Sequence, residues 1–360
     1  MTAPARAGLR DLVVTGGAFA LGLVLLALFL LVAGFDVPLA LGALWRGAFG
    51  SWYAITSATL VRATPLILLG LAFTLGSRGG ALNIGMEGQF ALGAMAAAWA
   101  GTHVGGLPMV VALPLVLAAG MIGGTFWMAV PVLLKLRFGV TEVISTLLLN
   151  FVAEAAVSWA VSGPMQEPTH VYPQSAAIAA AAQLPKLLPG ARLHLGLVLA
   201  VLVAVGLMVL LRKTRWGFEL RAVGAGPRAA EVSGGIRSNR LLAVALLASG
   251  ALAGLGGAVE VSGVSYALYL NLSPGYGFTA IAVALLGRLQ PLGVVIAGAL
   301  FGALEAGAGA MQRDAGIPAV AVQVVQAVVI VTMVVAGRTA NSDEREARSE
   351  KREARSEDDG

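Results

Sequence analysis

The chain has 360 residues, of which 58% are apolar and only 12% charged, and its mean hydropathy is +0.85. Soluble domains carry about twice that share of charge, so a surface this poor in polar groups excludes an ordinary soluble enzyme. Cysteine is absent, which excludes disulfides and thiolate metal sites, and the formal charge of +5 gains meaning only from where the charges fall.

At about 20 residues per bilayer-spanning helix, the long uncharged runs predict ten spans. They lie near 12–34, 60–76, 88–104, 109–134, 140–162, 195–211, 241–263, 267–287, 291–311 and 317–336. The first is too long for a cleaved signal peptide and is expected to remain as an anchor. Residues 35–59 carry Trp45, Trp52 and Tyr53 and read as a helix lying in the outer interface. The runs at 88–104 and 267–287 are short and glycine-rich or polar at one end, which fits re-entrant or broken helices. Residues 163–194 form a proline-rich outer connection, and 212–240 form a basic, glycine-rich inner one. The tail repeats REARSE at 345–350 and 352–357, a solvated charged end.

Orientation follows from the bases. With both termini cytoplasmic, 14 of the 19 Lys and Arg residues before the last 20 positions fall inside, seven of them between Arg212 and Arg240. The expected organisation is therefore an all-α polytopic membrane bundle of about ten transmembrane helices. A cytoplasmic N-terminus covers 1–11, a single membrane domain 12–336, and a charged cytoplasmic tail 337–360. The basic balance reads as an orientation signal in the lipid bilayer and as a docking surface, with no indication of nucleic acid.

Catalytic motifs are missing. His103, His170 and His194 are scattered over outer loops without ligand spacing. No Gly-Lys dipeptide exists to build a phosphate-cradling loop, so the chain cannot power itself with ATP. Gly224-Ala-Gly226 only faintly imitates a dinucleotide fingerprint, with Pro227 inside it and no strand before it. Small residues four apart at Gly120/Gly124, Gly250/Gly254 and Gly298/Gly302 point to close helix packing.

Polar groups at membrane depth say more, because a charge there needs a cavity or a partner. Glu87, Glu142, Glu154, Glu260 and Glu305 lie in or at the ends of spans, with Asn83, Gln89 and Asn150 beside them. In the run Asn83–Gln89, two glycines allow an irregular backbone that can line a cavity; Asn83 and Glu87 can equally cap the helix that follows. Glu142 is expected in the first turn of a helix. Glu260 and Glu305 are read either as packing partners of neighbouring polar groups or as functional carboxylates. An ion- or proton-coupled secondary carrier is the alternative architecture, but it calls for an inverted repeat that the sequence does not display.

Three stretches in order, ALNIGMEGQFALGA (81–94), GVTEVISTLLLNFVA (139–153) and TRWGFELRAVGAGPRAAEVSGGI (214–236), resemble the permease subunits of bacterial ABC importers. That family serves branched-chain amino acids, ribose-type sugars and nucleosides. The wording NIGMEGQ and EVISTLLLN is most similar to its nucleoside and simple-sugar members, and 274–312 also fits. The resemblance covers roughly 60–336. It implies a bacterial inner-membrane, multi-pass subunit that pairs with a second, related permease and moves a small polar solute by alternating access. Partner ATP-binding subunits would hold ATP and Mg, this chain carrying no cofactor, and an external binding protein or lipoprotein would deliver the solute. Asn83, Glu87, Gln89 and Asn150 are then the expected polar lining of the path. Trp216, Gly217, Arg221, Gly224, Pro227, Ala229 and Ala230 stand at the positions of the loop that couples to the ATPase, with Gly226 where the family pattern has Asn.

Overall fold

The computed structural model describes residues 21–318 except 23, together with 324, 327 and 331. The expected cytoplasmic N-terminus, most of the span at 317–336, the charged tail, and the first part of the span at 12–34 lie outside the described residues. Two contact units divide the chain, one made of Met1–Gly50 with Leu304–Gly360, the other of Ser51–Ala303.

Eleven helices are used below: α1 (Val37–Phe49), α2 (Trp52–Arg78), α3 (Met86–His103), α4 (Met109–Phe138), α5 (Glu142–Val161), α6 (Gly196–Lys213), α7 (Arg215–Ala225), α8 (Pro227–Gly234), α9 (Ser238–Ser265), α10 (Tyr276–Leu286) and α11 (Pro291–Asp314). Among the described residues no strand forms, only three isolated bridges. Among the described residues six helices, α2, α4, α5, α6, α9 and α11, are long and apolar enough to cross a membrane.

Three expected elements gain definition in the structure. The interfacial stretch 35–59 is split: Asp36 caps α1 through Leu39 N–H at 2.9 Å, and Ser51 caps the start of α2 through Ala54 N–H at 3.0 Å. The second span therefore begins at Trp52, and a π-turn at Ile55–Thr59 carries it on into the long helix. The run at 267–287 is a broken element, because only Tyr276–Leu286 is helical, about 16 Å long at 1.5 Å per residue. A bilayer core is about 30 Å thick, so α10 is a half-length helix behind an irregular stretch. The basic loop at 212–240 folds into α7 and α8.

Within the Ser51–Ala303 unit, α2 and α9 are central: 83% and 61% of their apolar windows are buried, against 22% for α4, 33% for α5 and 28% for α6. The latter three present the bare faces. The glycine pairs explain how the centre closes. At the α4–α9 crossing, Gly120 and Gly124 meet Gly250 and Gly254 backbone to backbone, and a Cβ on Gly124 would lie 2.7 Å from Gly254 Cα. In lipid, where no hydrophobic force pulls helices together, such close approach is what holds them. The other unit has its own small core, in which Leu26, Leu30, Ala40, Ala43, Ala308 and Met311 pack together.

The connection 163–194 is irregular but tied down. Ser175, Ile178 and Leu184 donate backbone N–H groups to Leu268, Tyr266 and Ser262 carbonyls at 2.9, 2.9 and 2.8 Å. At its end His194 is buried, and its Nδ1 accepts the Gly196 N–H at 3.2 Å. The ring proton is then on Nε2, which has no partner among the described residues. Burial, and after it the Arg192 charge, push the His194 pKa down to about 4 from 6.5.

Two outcomes follow from this packing. Gly254→Val should lower the midpoint of thermal unfolding in detergent, a cost of about 1–3 kcal/mol for overpacking. Gly206→Ala on α6, where a Cβ meets nothing within 4 Å, should leave it unchanged or raise it. His194 stays neutral when folded while the unfolded chain takes up a proton, so its contribution is complete above pH 6.5 and fades towards pH 4. Stability should fall by up to about 1.4 kcal/mol per pH unit in that window. Melting curves of the native protein and His194→Asn between pH 7 and 5 should diverge accordingly.

Candidate functional site

The run Asn83–Gln89 enters α3 through an irregular turn whose polar backbone is satisfied by side chains. Asn83 and Gln89 form a reciprocal amide pair, Asn83 Nδ2 to Gln89 Oε1 at 2.8 Å and Gln89 Nε2 to Asn83 Oδ1 at 2.9 Å. Asn83 Nδ2 also donates to Ser249 Oγ at 2.9 Å, and that hydroxyl donates to the Ala72 carbonyl at 2.7 Å. The pair is thus locked between α2, α3 and α9, fully buried. Asn150 acts from α5 on the same turn: its Oδ1 accepts the Gly88 N–H at 2.9 Å and its Nδ2 donates to the Ile84 carbonyl at 3.1 Å.

Glu87 points the other way. Its Oε2 accepts the Gly277 N–H at 2.6 Å, at the N-terminus of the half-helix α10. The free N–H groups and positive dipole end of a helix favour an anion at this place. Gly277 has to be glycine, since a Cβ there would fall 2.8 Å from Glu87 Cα. Ser273 Oγ accepts the Tyr276 and Gly275 N–H groups at 2.9 and 3.2 Å, completing the cap.

Beside this contact lies a cavity of about 220 Å³. Its polar lining is Glu87, Asn150, Glu154, Asn271 and Ser273; Phe151, Tyr269 and Phe278 supply exposed aromatic surface. Of the four residues expected to line a path, Glu87 and Asn150 reach this cavity, whereas Asn83 and Gln89 stand behind it as packing. Tyr266 and Asn271, with φ of 56° and 55°, are the two non-glycine residues in left-handed conformation in the irregular stretch that forms one wall. Sequence reasoning flagged Glu154 but passed over Phe151, Tyr269, Asn271, Ser273 and Phe278. The run Ser273-Pro-Gly-Tyr-Gly277, turn chemistry inside an apolar stretch, was the available signal.

The remaining glutamates have other duties. Glu142 opens α5 as expected and also pairs with Lys135 at 2.7 Å, joining the ends of α4 and α5. Glu260 is buried within electrostatic range of Arg192 and Arg62.

On the basic segment, Thr214 caps α7 through Gly217 N–H at 3.1 Å. Gly226 (φ −177°, ψ 97°) makes an extended elbow into α8, which starts with Pro227 at its first position. Leu220 and Val223 are buried, and Gly217 and Gly224 let α7 press against Leu210–Leu211 and the Arg78 carbonyl. Trp216 and Arg221 are half-buried and Ala230 is buried, while Gly224, Pro227 and Ala229 are exposed. Phe218 and Val232, 63% and 88% exposed, make the elbow an apolar knob on a basic surface.

The Glu87 cap is testable by itself. Glu87→Ala should lower the unfolding midpoint, a loss of about 1–3 kcal/mol for the unsatisfied helix terminus. Glu87→Gln should fall between, because its amide oxygen still accepts from Gly277. Equal midpoints for all three proteins would remove the cap.

Residues 55–336 match the family described as branched-chain amino acid transport system / permease component. The glucose ABC transporter permease protein TsgB13 of Haloferax volcanii is 41% identical over 305 residues, 82% of this chain and 80% of that protein. The guanosine ABC transporter permease protein NupP of Bacillus subtilis is 40% identical over 318 residues, covering 87% and 90%. The nucleoside ABC transporter permease protein NupB of Lactococcus lactis subsp. cremoris is 34% identical over 326 residues, covering 87% and 88%. In each of these last two organisms a second such permease, NupQ and NupC, matches more distantly, at 29% and 26% identity. With a family match over most of its length and apolar helices of membrane-crossing size, the chain belongs to the permease components of the branched-chain amino acid transport system family.

Proposed function

We propose that this chain is one of two permease subunits of an ATP-driven importer, and that it carries a nucleoside or simple sugar across a bacterial inner membrane by alternating access. The observation that carries the reading is Glu154. It is an exposed carboxylate well inside the membrane-length helix α5, on the rim of the cavity that holds Glu87 and Asn150. Such a group is untenable against lipid and needs a wet path or a facing protein surface. A second permease laid against α5 would close the half-site into a path, and the paired permeases of B. subtilis and L. lactis support that arrangement.

The lining fits the solute class named for the relatives. Phe151, Tyr269 and Phe278 offer flat apolar faces for a base or sugar ring, and Glu87, Glu154, Asn150 and Asn271 offer acceptors and donors for hydroxyl and amide groups. Asn83 and Gln89 hold the backbone of this site. Ten spans in a single domain over 12–336, with both termini cytoplasmic, place the α7–α8 elbow inside. There the loop of Trp216, Gly217, Arg221, Gly224, Pro227, Ala229 and Ala230 would couple to partner ATPase subunits that bind ATP and Mg. A binding protein would deliver the solute from outside.

Uptake of labelled guanosine and glucose by cells carrying the whole transporter tests the reading. Glu154→Gln changes no hydrogen bond among the described residues and should lower uptake about tenfold, the worth of one charged hydrogen bond. Val232→Asp should leave solute delivery intact and abolish solute-stimulated ATP hydrolysis. Normal uptake by Glu154→Gln in an assembled transporter would place the path elsewhere.

A further inference from the structure

A second cavity, of about 290 Å³, opens where the ends of α2 and α6 meet α7 and the start of α11. Arg78, Arg212 and Arg221 line it together with Gln290, Met208 and Leu211, and no carboxylate is among its lining residues. Three like charges around one space repel one another, and among the described residues none of the three forms an ion pair.

Their hydrogen-bonding capacity is largely unspent. Arg78 uses Nε and Nη2 on the Leu289 carbonyl, at 2.9 and 2.8 Å, clamping the left-handed turn at Arg288 and Leu289 (φ 55° and 52°). Arg212 reaches Gln290 Oε1 only at 3.5 Å. Arg221 makes no hydrogen bond among the described residues. Guanidiniums converging in this way suit a tetrahedral oxyanion, for which they offer paired donors and a fixed positive charge.

We propose that this cavity binds the phosphate of an anionic phospholipid headgroup. Phosphate is the chemistry shared by a lipid and a free anion, and the apolar surroundings favour the lipid. Met208 and Leu211 lead from the cavity onto α6, where Leu202, Val205 and Val209 are 62%, 40% and 46% exposed along a membrane-length helix. Acyl chains can lie on that face while the phosphate sits among the arginines. Basic pockets between helices at the inner leaflet hold anionic headgroups by the same physics. The bound phosphate would staple α7 to α2, α6 and α11, joining the elbow to the spans. The site is independent of which solute is carried.

Native mass spectrometry of the full-length protein in detergent, with phosphatidylglycerol, phosphatidylcholine or inorganic phosphate added, tests it. Phosphatidylglycerol should be retained in preference to phosphatidylcholine. Arg212→Gln should weaken that retention about fivefold, the effect of one surface charge, and Arg212→Lys should restore most of it. Arg137→Gln, at an exposed cation on the end of α4, should change nothing. Arg212 is exposed, so an unchanged unfolding midpoint without lipid will verify that its variants fold. Equal retention of the two lipids, or retention unaffected by Arg212→Gln, would overturn the proposal. Retention of inorganic phosphate as strong as that of phosphatidylglycerol would overturn the lipid source.

Discussion

A backbone interrupted at membrane depth has to find every hydrogen bond within the protein, because the hydrocarbon offers none. This chain is interrupted twice in the same neighbourhood, at the turn into α3 and in the stretch between α9 and α10. Each break is filled by specific polar groups. The Asn83–Gln89 pair and Asn150 satisfy the first, while Glu87, Ser273 and the backbone of 175–184 satisfy the second. The cavity exists because two broken elements face each other, and its polar lining is the surplus of the groups that mend them.

Glu87 is the point where the two breaks are joined. Its carboxylate leaves α3 and caps α10, so the charge is held by a helix terminus while its flank stays open to the cavity. Changing the chemistry of the cavity without disturbing the cap is therefore difficult at Glu87 and simple at Glu154, which has no hydrogen bond among the described residues. The glycine crossings of α4 and α9 serve the same end from outside, bringing backbones close enough that the irregular segments are enclosed by protein.

Much of this was legible beforehand, for reasons that can be stated residue by residue. The membrane-length helices follow from apolar runs, whose signal is long and needs no partner. The glycine pairs at 120/124 and 250/254 were visible as close-contact spacings, although that they meet each other was not. The Asn83–Gln89 run and Asn150 stood out as polar groups in apolar surroundings, yet spacing alone could not separate a lining residue from a backbone-satisfying one. The elbow at 214–236 was recognisable as a motif, but its exposed Phe218 and Val232 were not, because exposure depends on what packs beneath.

By itself, then, the sequence determined the apolar solvent, the helical class and the family likeness, and it set the expected orientation. These rest on composition, run length, charge position and local motifs, which are properties of contiguous residues. Only the tertiary structure decided that α10 is half-length, that Glu87 caps it, that Asn83 and Gln89 pair with each other, and that Arg78, Arg212 and Arg221 share one cavity. Those outcomes depend on groups up to about 200 positions apart, as with Glu87 and Gly277 at a separation of 190. A one-dimensional pattern does not encode which distant side chain reaches an unsatisfied backbone; packing does.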